Sequence, residues 1–102
     1  MRRVIDGKVY DSQRAEQLAE ASGGGASVRD FSHWDETLYR TQRGAYFIHG
    51  SGGPLTHWAR HRGNETSGGE GMRTLTEAQA REWVEKWAND RYESIFGATE
   101  EA

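Results

Sequence analysis

Strand-forming residues gather in two runs, TLYRT at 37–41 and AYFIH at 45–49, separated by Gln42, Arg43 and Gly44. β-Branched and aromatic residues on either side of a short turn that ends on glycine predict a β-hairpin. It starts at Glu36 and runs into a glycine-rich loop that reaches Gly53. On its second strand Tyr46 and Ile48 share one face, Phe47 and His49 the other. Residues 4–10 predict a shorter strand or tight hairpin turning at Asp6 and Gly7. From Asp11 or Ser12 the spacing changes. Ala15, Leu18 and Ala19 recur on one helical face with Tyr10 as a staple, predicting a helix to about Ala21. Ser22 and three glycines end it, and a mobile loop is expected to about Asp30.

Downstream, Pro54 follows Gly53 and Gly63 lies nine residues on, which predicts a short helix over 54–62. Leu55, Trp58, Ala59 and the stem of Arg62 form its inner side, while His57, Arg60 and His61 project elsewhere. Residues 72–75 add a strand. Thr76 to Gln79 spells a capping box, and Ala80, Trp83, Val84, Trp87, Arg91 and Ile95 recur every three or four residues. They predict one helix to residue 96, stopped by Gly97. SGG occurs at 22–24, 51–53 and 67–69 in unlike surroundings, which marks shared loop chemistry and no structural repeat.

These elements predict a single α+β domain over residues 1–97, with 98–102 a flexible acidic tail. A small antiparallel sheet of three or four strands is packed by the C-terminal amphipathic helix, with an N-terminal helix and a short middle helix flanking it. Leu, Ile, Val and Phe total only fourteen, so the four tryptophans and seven other aromatics must supply much of the core. Without cysteine there is no disulfide, thiolate zinc site or cysteine nucleophile. No apolar run approaches the roughly 20 residues of a membrane span, and no apolar segment follows Arg2 and Arg3 as in a secretory signal. A cytoplasmic protein with no membrane partner is expected.

Net charge is −3, divided as −4 from Glu77 onward and +1 before it. The acidic helix is either a solvated face or one offered to a basic groove on a partner. Mild overall acidity argues against nonspecific nucleic-acid binding, which depends on neutralising phosphates. His57 and His61 stand four apart, a chelating spacing on a helix, but no HExxH signature accompanies them and no metal or cofactor is expected. The Gly50–Thr56 loop could cradle an anion, yet Pro54 removes a donor and a P-loop lysine is missing. Ser51 with His49 or His57 and Asp35 lacks a nucleophile elbow. Asp35 and Glu36, adjacent on a strand, point to opposite sides and make a poor acid–base pair. No catalytic residue is expected.

Rings and guanidinium groups remain. One hairpin face should pack on the helix bearing Trp83 and Trp87, and the other is covered by Trp58 or left open. A protein partner would be met by Arg40, Arg43 and Tyr46, or by Glu82, Glu85 and Glu93. The alternative is a nucleic-acid-binding factor with Arg40, Arg43, Arg60 and Arg62 on one basic face.

Taken together, IDGKVYD, ETLYRTQRGAYFIHGSGG and SGGEGMRTLTEAQAREW resemble a family of small bacterial accessory proteins of phages, plasmids and integrative elements. The likeness runs over most of residues 5–97, departing at 22–27 and around His57 and His61, and brings no catalytic residues. It implies a non-enzymatic mobile-element protein that binds a host protein or ribonucleoprotein complex. An inhibitor of host defence, of the anti-CRISPR type, is the leading expectation.

Overall fold

Tyr46, Phe47 and Ile48 are consecutive and all buried, so both faces of the hairpin's second strand need cover. Different elements supply it. The computed structural model describes residues 1–25 and 30–102, so the loop expected up to Asp30 lies partly outside the described residues. Strands β1 (Arg2–Ile5) and β2 (Lys8–Asp11) form an antiparallel hairpin turning at Asp6 and Gly7. Then come β3 (Glu16–Gly23), β4 (Trp34–Arg40) and β5 (Tyr46–Gly52), followed by a two-stranded ribbon of β6 (Arg60–Arg62) and β7 (Glu65–Ser67). After β8 (Gly69–Leu75) the chain enters α1 (Glu77–Trp87), a 3-10 turn (Asn89–Arg91) and α2 (Tyr92–Phe96). The main sheet is antiparallel in the order β3-β4-β5-β8.

Register and alternation place Glu36, Leu38, Tyr46, Ile48 and Leu75 on one face of that sheet. α1 lies across it, and Leu38, Ile48, Ala80, Trp83 and Val84 share one buried cluster. The other face carries Tyr39 and Phe47, stacked with ring centroids 5.0 Å apart. Tyr10 of β2 meets Phe47 edge-on at 5.6 Å, so the N-terminal hairpin covers that end of the second face.

α1 starts on the expected capping box. The Gln79 amide donates to Thr76 Oγ1 at 3.1 Å, and the Thr76 amide donates to Gln79 Oε1 at 2.9 Å. Thr76→Ala should therefore cost about 1 kcal/mol of unfolding free energy in urea titration. A loss below ~0.3 kcal/mol would mean that the cap contributes little. The expected single helix to residue 96 breaks at Ala88, whose φ of −144° and ψ of 47° are not helical. The break folds α2 back onto the core. Phe96 meets Tyr46 at 6.0 Å between ring centroids, and the Arg81 guanidinium lies 4.7 Å from the Phe96 ring centre.

The structure corrects the expected fold class. It is mostly β, with eight strands in three sheets among the described residues and helices only at the C-terminal end. The N-terminal helix is absent, and residues 16–23 are an edge strand paired to β4. A register shift between Gln17 and Ala19 places adjacent Leu18 and Ala19 both inside. That bulge breaks the alternation expected of a strand and leaves a spacing that imitates a helix. The middle helix is absent too. Thr56 Oγ1 donates to the Gly53 carbonyl at 2.8 Å and accepts the Trp58 amide at 3.2 Å, diverting both groups from a helical ladder. Leu55, expected inside, is 74% exposed. No helix among the described residues is long and apolar enough to cross a membrane.

Candidate functional site

Glu36 sits in the middle of β4, an inward position by the same alternation that buries Leu38. Only 4% of it is exposed, and an isolated carboxylate there would be costly. Three N–H donors meet it. Trp83 Nε1 of α1 donates to Oε1 at 2.8 Å, while Trp58 Nε1 and His57 Nε2 donate to Oε2 at 2.8 and 2.6 Å. One carboxylate thus ties the sheet to α1 and to the 54–59 turn. Charge-assisted bonds of this length are the strong class of hydrogen bond.

Small residues make room for the rings. Glu36 pairs across the sheet with Gly50, which pairs in turn with Gly71, and Ala21 is its neighbour on β3. The Trp58 indole lies over the two glycines: a Cβ at Gly50 would fall far inside contact distance of Trp58 Cζ2, and one at Gly71 would be 3.3 Å from Cζ3. In the same way Trp34 lies over Gly23, where a Cβ would be 2.9 Å from its Cζ2. Trp58 therefore covers the helix-bearing face beside α1. The alternative expectation, that it shields the opposite face, is corrected.

A cleft of about 320 Å³ opens between these elements with Glu36 at its base. Trp34 and Trp87 form an aromatic corner of it, edge to face at 4.8 Å, and Trp87 is 42% exposed. Lys86 and Arg73 also line the cleft, as does half-exposed His57. The Lys86 ammonium lies 4.8 Å from the centre of the Trp87 ring, a cation–π contact. Neither Lys86 nor Arg73 forms an ion pair among the described residues. The Glu36 carboxylate is the acidic group lining the cleft, but its oxygens are held by three other donors, so Lys86 and Arg73 are left without an ion-pair partner among the described residues.

The residues singled out in the sequence are dispersed. Tyr46 is buried against Phe96, and Arg40 pairs with Glu16 at 2.8 Å while donating to the Ile95 carbonyl at 3.4 Å. The Glu16 bond, with Tyr46 second, holds the Arg40 guanidinium above its ordinary pKa. Arg43 is exposed in the β4–β5 turn, and Arg60 and Arg62 are exposed on β6. Seven residues of β5 separate these two places, about 20 Å at ~3.3 Å per residue, so the four arginines do not share one face. Glu82 and Glu85 are exposed on α1 and Glu93 on α2.

His57 and His61 fall on a turn and a strand, so the helical chelating spacing is not realised; His61 instead contacts Thr66 Oγ1 at 3.1 Å. Ser51 lies on the sheet face opposite Glu36, away from His57. It pairs in register with Asp35, whose Oδ2 is 3.0 Å from His33 Nε2. Sequence reasoning missed Glu36, Trp83, His57, Lys86 and Arg73 as one group. The available signal was a carboxylate two residues from an inward leucine on a strand. No family model, no curated protein and no solved structure matches this chain.

Proposed function

We propose that this chain is a non-enzymatic binding module whose tryptophan cleft takes an acidic side chain of a partner protein. The observation that carries the reading is the pair of unpaired cations, Lys86 and Arg73, in a cleft walled by half-buried Trp34 and exposed Trp87. Trp and Arg dominate the energetic centres of protein interfaces. The volume of about 320 Å³ is at the small end of the roughly 300–1,000 Å³ range of small-molecule pockets, room for a side chain more than for a large cofactor. Three donors commit Glu36 to holding the cleft together, which supports an anchoring role over proton transfer. The family resemblance adds the setting: a mobile-element accessory protein acting in the cytoplasm on a host defence complex. Glu82 and Glu85, on the helix that carries Lys86, would face basic groups at the edge of that contact.

Lys86→Glu should weaken capture of the partner from a bacterial host lysate at least tenfold, about 1.4 kcal/mol. Arg60→Glu/Arg62→Glu, on the distant ribbon, should leave capture intact. Titration of the identified partner gives the affinities. Equal retention by the Lys86 variant and the wild type would remove the cleft from the interface.

A further inference from the structure

A second groove, of about 550 Å³, lies between β2, the turn that follows it and the β4–β5 turn. Lys8, Arg14 and Arg43 reach it from three separate segments, beside Thr41 and Gln42. Arg3 pairs with Tyr10, and Ile5 with Lys8, so alternation puts Arg3 and Lys8 on the same hairpin face as Tyr10. None of these four cations forms an ion pair among the described residues. The acid lining the groove, Asp11, accepts the Gln13 amide through Oδ1 at 2.9 Å, a turn contact.

The fold also separates charge in a way the net value of −3 conceals. Residues 1–15 together with Arg43 carry five bases against two acids, a balance of +3. The rest of the chain carries eight against fourteen, a balance of −6. A basic pole on an acidic protein concentrates attraction at one place and repels polyanions elsewhere.

We propose that this groove is a phosphate-backbone site for nucleic acid. Exposed cations on separate segments, with polar Thr41 and Gln42 between them, suit a run of phosphates. Tyr10 is buried edge-on against Phe47, so its ring is not free to stack on a base, and recognition is independent of sequence. The groove belongs to the Tyr39 and Phe47 side of the sheet, near the β4–β5 turn. The tryptophan cleft belongs to the other side, around Trp34 and Glu36. Both sites can be filled at once, which fits a ribonucleoprotein partner better than either surface alone.

The test is fluorescence anisotropy with a labelled single-stranded DNA of about 20 nucleotides, titrated between ~50 and ~200 mM salt. Arg14→Glu/Arg43→Glu should weaken binding tenfold or more and reduce the slope of log affinity against log salt by about 2. Arg60→Glu/Arg62→Glu should change neither. A melting curve checks that the exposed double variant is folded; if it is not, Lys8→Gln with Arg43→Gln makes the same test by charge removal. No binding at ~50 mM salt, or an unchanged slope in the groove variant, overturns the site. Displacement by inorganic triphosphate at equal phosphate concentration would assign the groove to a free phosphate and overturn the strand. Equal binding of polyglutamate would make it a site for acidic protein and overturn it too.

Discussion

Glu36→Gln should lower the unfolding free energy by about 3 kcal/mol, the range for removing one partner of a buried charged pair. The substitution keeps the shape of the side chain and one carbonyl oxygen. It replaces the other oxygen with an NH2 group that has nothing to offer a donor. If the amide turns its nitrogen toward α1, the Trp83 indole N–H loses its acceptor. If it turns the other way, Trp58 loses its acceptor, and His57 keeps a bond only in the tautomer whose Nε2 accepts. Each orphaned donor costs roughly 1–3 kcal/mol where water cannot reach it. Glu82→Gln is the control, because that side chain is exposed, forms no ion pair among the described residues and should move stability by no more than about 0.5 kcal/mol. Urea unfolding followed by tryptophan emission measures both. A Glu36→Gln variant within ~0.5 kcal/mol of wild type would show that the three bonds do not hold the cleft together.

The role of Glu36 was legible in principle, because strand alternation ties it to Leu38. Reading Asp35 and Glu36 only as a failed acid–base pair missed the consequence of their opposite directions, which is that one of them must be inside. The hairpin at 36–49, the turn at Asp6 and Gly7 and the cap at Thr76 were legible because each depends on nearby residues. The strand at 16–23 was not. Its Ala, Glu, Gln and Leu favour a helix locally, and only the ladder to β4 and the bulge at Leu18 make it a strand. The cleft was illegible for a related reason. Its members come from positions 34, 36, 57, 73, 83, 86 and 87, brought together by a register that no local pattern encodes.

Gly50→Ala should cost about 2–4 kcal/mol, although two ordinary considerations favour alanine there. The glycine does not adopt a positive φ, so a side chain is compatible with its backbone. Alanine also restricts the unfolded chain, which alone would stabilise the protein by about 0.4–1 kcal/mol. Against this, the new methyl would occupy the space of the Trp58 ring, and the opposite strand face is no refuge because a Cβ has one direction. Trp58 must leave its seat, and Glu36 then loses one of its three donors. Gly71→Ala separates the clash from any general effect of glycine in this sheet. Its Cβ would approach Trp58 to 3.3 Å, a distance relieved by a shift of a few tenths of an ångström, so its cost should stay below about 1 kcal/mol. Urea titrations of the two variants, with indole N–H chemical shifts reporting the Trp58 bond, should rank Gly50→Ala as the more damaging. If alanine at 50 proves neutral or stabilising, Trp58 does not rest on that glycine, and the turn carrying His57 is not fixed to the sheet as described.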